Sequence, residues 1–173
     1  MNAVYYDPWS NLRYEPDPSP ADDPNLLWFN SEVNPDDVLE ASEHRTHFEF
    51  SVDGKKRVKP GSRHTTVGTK IVVNGKTIAI FKHFGRLYAI NNVCPHQRGE
   101  LHLGDIEEID KSLCVSCPRH HWPFSLKDGS CSVGVKYQAE VFPVQIRTLR
   151  DGRDVIFVGF PSFTRTLFND DDF

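Results

Sequence analysis

Apolar and polar positions fall into a regular pattern only from about residue 46 onward. Residues 47–52 have β-type composition with partial alternation, closed by Asp53-Gly54. Residues 71–73 and 77–81 flank Asn74-Gly75, whose residues suit the positive φ of a primed hairpin turn. Gly85 then separates residues 81–84 from 86–90, and Asp110-Lys111 separates 105–109 from 112–115. A hairpin is expected at residues 122–127 with Asp128-Gly129. Two last strands are expected at 139–146 and 155–160, around the Asp151-Gly152 turn. Short strands at close spacing with Gly turns predict an all-β domain over residues 46–160.

The flanks differ. Residues 1–45 are acidic and rich in proline, which resists a packed core, and read as a partly ordered N-terminal extension. Two apolar anchors interrupt it, Tyr5-Tyr6 with Trp9 and Leu26-Leu27-Trp28-Phe29, and these suit an extended strap docked on the domain. Asn34-Pro35 predicts a short helix start, with Asn34 as N-cap. Residues 161–173 form a C-terminal tail. The basic run Lys55-Lys56-Arg57-Val58-Lys59 is expected to be a solvated loop.

Charge sharpens that division. Residues 1–50 hold eleven acids and two bases, and residues 51–173 hold thirteen acids and eighteen bases. The domain is mildly basic beneath an acidic extension, and nothing in it points to nucleic acid. No run of eighteen apolar residues suggests a membrane span. The first ten residues have neither a basic n-region nor an apolar core, so a cytoplasmic protein is expected; a monomer is expected as well.

The candidate chemistry lies between Cys94 and His120. Cys94-Pro95-His96-Gln97-Arg98-Gly99 and Cys117-Pro118-Arg119-His120 each pair a thiol with an imidazole in a loop at a strand end. Two thiolates and two neutral imidazoles can complete a metal site. Cys114 with Cys117 makes a Cys-x-x-Cys, which leaves a zinc site open as an alternative. Cys114 is expected to be a buried core thiol and Cys131 a bystander beside a turn. A disulfide framework does not fit a reducing compartment. His102 is expected to pack or hydrogen-bond near the first loop. Trp122 and Phe124 are expected to lie in the core beneath the site, and Arg98 and Arg119 to flank the histidines.

These two motifs resemble the cluster-binding loops of Rieske iron–sulfur proteins. The likeness extends to Gly85-Arg86-Leu87-Tyr88-Ala89-Ile90, to Leu101-His102-Leu103-Gly104-Asp105-Ile106 and to Lys127-Asp128-Gly129. The Leu-His-Leu-Gly-Asp-Ile stretch is especially similar to small soluble eukaryotic Rieske ferredoxin-like proteins. The resemblance implies a Rieske-type antiparallel β-sandwich with a cluster-binding subdomain made from two hairpin loops. It implies one [2Fe–2S] cluster per chain, Cys94 and Cys117 on one iron, His96 and His120 on the other. Neutral imidazoles in place of thiolates raise the potential of such a cluster.

The chain departs from the respiratory branch of that family. Gly99 and Arg119 stand where that branch has a disulfide, and Trp122 and Phe124 stand where it has hydroxyl donors. Fewer donors to the cluster imply a potential toward the low end, about −150 mV, of the family's span. The function implied is a ferredoxin-like electron carrier between a reductase and an acceptor such as an oxygenase, and not a stand-alone enzyme. A subunit or sensor module of a larger oxidoreductase, of the nitrite reductase kind, is the alternative. The thirteen residues after Phe160 lack histidine, so a second, mononuclear iron centre is not expected.

Overall fold

A computed structural model describes residues 23–44, 48–58, 65–133 and 136–164. The strands in chain order are β1 (Leu27–Asn30), β2 (Phe48–Phe50), β3 (Lys56–Val58), β4 (Thr69–Val73), β5 (Lys76–His83) and β6 (Arg86–Asn91). They continue with β7 (Asp105–Ile109), β8 (Ser112–Ser116), β9 (Pro123–Ser125), β10 (Val141–Phe142), β11 (Val144–Thr148) and β12 (Asp154–Phe160). The chain is all-β: the pairings between strands are antiparallel, and helical structure among the described residues is limited to single 3-10 turns. The Tyr5, Tyr6 and Trp9 anchors, and the tail beyond residue 164, lie outside the described residues.

The four-stranded sheet β10-β6-β5-β4 is the middle layer. Its central strand is buried on both faces, and the period of two divides its side chains between two cores. Ile78 and Ile80 join Val38, Ala89, Ile156, Val158 and Phe160 on one side. Ala79 and Phe81 join Leu101, Val115, Cys117 and Phe124 on the other. The first core is roofed by the three-stranded sheet β1-β12-β11, the second by the sheet β7-β8-β9. Each fully buried Ile or Phe stabilises this stack by roughly 1.5–3 kcal/mol.

The turns follow local chemistry. Asn74 (φ 49°) and Gly75 (φ 69°) both take the positive φ of the primed turn joining β4 to β5. Phe84 and Gly85 do the same between β5 and β6, and Asp110 and Lys111 between β7 and β8.

Four features differ from expectation. The strand expected over 139–146 is two, because Pro143 has no N–H for a ladder. Before it β10 pairs with β6, and after it β11 pairs with β12, so the chain changes sheets there. The Leu27–Asn30 strap is a full edge strand paired with β12, with Phe29 edge-on to Phe160 at 5.4 Å. Three residues of the basic run, Lys56–Val58, form a strand. The Asp53-Gly54 turn folds Lys56–Val58 back on Phe48–Phe50 as an antiparallel pair. The helix expected after Asn34 is one 3-10 turn, Pro35–Asp37, with the Asn34 side chain accepting from the Asp36 N–H at 2.8 Å.

Candidate metal centre

Two loops rise from the strand ends, one between β6 and β7 and one between β8 and β9, and they share one backbone design. In the first, the Cys94 N–H donates to the Gly99 carbonyl at 2.9 Å, and the Arg98 N–H donates to the Cys94 carbonyl at 2.8 Å. In the second, the Cys117 N–H donates to the Trp122 carbonyl at 2.9 Å, and the His121 N–H donates to the Cys117 carbonyl at 2.8 Å. Arg98 and His121, at the same place in each loop, both take φ 55°. A non-glycine residue there is uncommon, and each pinch holds it in place. Pro95 and Pro118 follow the cysteines where these bonds need no N–H donor.

The base of the first loop is fixed from below. The Asn92 side-chain oxygen accepts from both the backbone N–H and Nδ1 of His102, each at 2.9 Å. His102 is therefore the Nδ1-protonated tautomer and hydrogen-bonds beside the loop, as expected. Asn92 itself is almost fully buried, and its backbone ties to Thr77 and Leu101.

The loops meet at Gly99. A Cβ on that residue would fall 2.8 Å from Cys117 Sγ and 3.3 Å from Arg119 Cγ, so only glycine permits this approach. Cys94 and Cys117 are buried, unbridged and within reach of one another. Burial pushes the Cys117 thiol above its ordinary range. The backbone N–H groups of Arg119 and His120 hydrogen-bond to it and oppose the rise, while the Cys94 thiol adds to it. The rings of His96 and His120 lie 5.1 Å apart at 72°. His120 is exposed and His96 half-buried.

His96 Nδ1 is buried with no hydrogen-bond partner. Such an atom costs about 1–3 kcal/mol unless something satisfies it. A buried ring nitrogen with no partner, two adjacent buried thiols and a neighbouring imidazole are together the donor set of a mixed sulfur–nitrogen metal centre, so the residues fit one. Among the described residues, no three metal-type donors crowd into one group.

The surroundings change one expectation. Phe124 is fully buried in the core, but Trp122 is not beneath the site. It is half-buried and lies flat on His96, ring centroids 3.8 Å apart and planes 4° apart. Cys131 lies beside a turn, as expected, and is buried in the same core as Cys117, where it pairs with Phe124. Cys114 is buried in β8, where its thiol donates to the Ser112 carbonyl at 3.5 Å. Sequence reasoning missed Asn92 and Tyr137. The Tyr137 ring meets His96 at 5.3 Å and Trp122 at 5.4 Å, both edge-on. No local signal connects Tyr137 to either loop.

Residues 56–145 match the family of soluble Rieske-type ferredoxins. A human Rieske domain-containing protein is 33% identical over 97 residues, 56% of this chain. The match spans 59% of that protein's length. The ferredoxin component of the naphthalene 1,2-dioxygenase/salicylate 5-hydroxylase systems of a Ralstonia species is 33% identical over 86 residues, 49% of this chain and 76% of that one. In fold, the chain is similar to the putative NADH-dependent nitrite reductase small subunit of Mycobacterium tuberculosis. That likeness has a TM-score of 0.51 and 20% identity, over 78% of this chain and 96% of that one.

Proposed function

The chain belongs to the soluble Rieske-type ferredoxin family, and from that premise we propose that it carries single electrons between a reductase and an acceptor such as an oxygenase. The observation that carries this reading is the pairing at the loop tips, buried thiols on one side and an exposed imidazole edge on the other. We assign Cys94 and Cys117 to one iron of a [2Fe–2S] cluster and His96, through its unpartnered Nδ1, and His120 to the other. When bound, the cluster supplies a one-electron couple, and its imidazole ligands raise the potential above that of an all-cysteine cluster.

The chain's own residues do the rest. The two pinched loops set the backbone in place before any ligand arrives. Phe124, Leu101 and Val115 keep water from the thiols. Trp122 and Tyr137 cover His96, which leaves His120 as the edge a partner can reach. The Ralstonia ferredoxin component supports a carrier in an oxygenase system, and the likeness to the nitrite reductase subunit is one of fold.

Electron paramagnetic resonance of the reduced protein tests the assignment. The expected signal has an average g well below that of all-cysteine clusters, and its midpoint lies toward the −150 mV end of the range of about −150 to +300 mV. Cys117→Ser and His120→Ala lose it, and Cys131→Ser keeps it. A colourless protein holding stoichiometric zinc would overturn the reading.

A further inference from the structure

We propose that the exposed imidazole edge docks onto an acidic surface of the electron-transfer partner, held through Arg98 and Arg119. The inference rests on the carrier reading above. The loop stretches 95–99 and 118–122 contain two arginines and no acid, although the whole chain carries a net charge of −4. Both arginines are exposed, and among the described residues neither joins an ion pair. Several surface cations elsewhere are matched on the chain itself: Lys70 pairs with Glu100, Lys76 with Glu140 and Arg153 with Asp151. Glu100 is the acid nearest the first loop in sequence, and it is turned to Lys70.

Position adds to charge. The Arg119 stem runs beside Gly99, where a Cβ would lie 3.3 Å from Cγ and 3.5 Å from Cδ. The stem of the second loop's arginine therefore runs along the first loop at the residue that follows Arg98. Lys136, also exposed, precedes Tyr137, whose ring meets His96. Two like charges beside one edge repel each other, and carboxylates on a partner would relieve that. The exposed prolines Pro95 and Pro118 and the partly exposed Val93 supply apolar contact between the charges. The surface thus has a cationic rim around an exposed imidazole, complementary to a carboxylate-ringed redox site.

Local and net charge predict opposite behaviour, which makes the proposal testable. The full-length loaded chain is reduced and mixed with one of two haem proteins, cytochrome b5 with its acidic haem edge or cytochrome c with its basic one. Docking through the arginines predicts that the rate with cytochrome b5 falls as salt rises from about 10 to about 300 mM. Arg98→Glu with Arg119→Glu slows that low-salt rate by about tenfold or more and speeds the cytochrome c reaction. Arg150→Glu, an exposed charge reversal in the β11–β12 turn, leaves both rates within about twofold. If Arg119→Glu impairs cluster loading, Arg98→Glu alone is compared with Arg150→Glu. A cytochrome b5 rate that rises with salt, as net charge dictates, or that ignores both reversals, overturns the docking. Absence of the reduced-state resonance signal in the unaltered chain overturns the carrier reading instead, and is seen before any rate is measured.

Discussion

Trp122 lies flat on His96, 3.8 Å between ring centroids, and so one candidate ligand is covered while the other, His120, stands open. The stack comes from the second loop's pinch. His121 at φ 55° reverses the chain just before Trp122, whose carbonyl is held by the Cys117 N–H. The indole is thereby placed over the first loop. Truncation to Trp122→Ala removes the stack and a half-buried ring, and is expected to cost about 2 kcal/mol. Trp122→Phe retains a face for His96 and is expected to cost less than about 1 kcal/mol. Urea denaturation of the unloaded chain measures both. Equal losses would mean that an aromatic face over His96 contributes nothing.

Gly99→Ala tests the contact between loops. The added methyl would sit 2.8 Å from Cys117 Sγ, so the loops must part. The neighbour on that side is a sulfur fixed by its own backbone, not the end of a flexible chain. Iron and sulfide per chain are expected to fall well below those of the unaltered protein, with far-ultraviolet circular dichroism unchanged. The fold itself is expected to lose about 1–3 kcal/mol, as for other overpacked sites. Full loading would show that the close approach has no part in building the centre.

Cys114 is expected to be chemically silent. Burial, followed by the charge of Asp128 and then by Cys131 and Glu107, pushes its thiol up to about 11. At pH 8 only about one Cys114 in a thousand is then a thiolate. Iodoacetamide should leave it unlabelled in the folded chain and label it after denaturation, as peptide mass spectrometry would record. Its folded value lies above the unfolded one. Between about pH 9 and 11 the unfolded chain ionises first, so this thiol makes stability decline with rising pH. Rapid labelling of the native chain at Cys114 would contradict its burial.

What could be read from the sequence was whatever is decided within a few residues. Asn74-Gly75 and Asp110-Lys111 announce their turns because positive φ is a local demand. The pairing of a thiol with an imidazole in each loop is likewise local. Pro143 was visible, but not its consequence, because an interrupted strand can end, bulge or change sheets, and only the positions of β6 and β12 decide. Leu27–Asn30 could be seen as an anchor but not as a strand, since its partner β12 lies more than a hundred residues away. Tyr137 meets His96 and Trp122 from outside both loops, with no local pattern to link them. Alternation would send residues 122 and 124 to the same face, but β9 begins only at Pro123, so the pattern that buries Phe124 does not extend to Trp122.

Glu40 joins the N-terminal segment to the hairpin that leads into the first loop. One carboxylate oxygen accepts from the Phe84 N–H at 2.7 Å and from the Ser42 hydroxyl and N–H, at 2.7 and 3.2 Å. The other accepts from the Gly85 N–H at 2.9 Å. Burial works to raise this carboxyl, but the bonds from Gly85, Ser42 and Phe84 together outweigh it and hold it below its ordinary 4.5. The folded value is thus the lower one. Its stabilisation is complete above the unfolded value and fades as pH falls through the folded one. Glu40→Gln keeps one carbonyl acceptor and loses the charge. It is expected to cost about 1 kcal/mol at pH 7, a cost that shrinks toward zero below about pH 4. Urea midpoints of both chains across that window provide the check. A gap that stays constant down to pH 3 would mean that the charge contributes nothing, and that shape alone holds the turn from which β6 runs to Asn92 and the first loop.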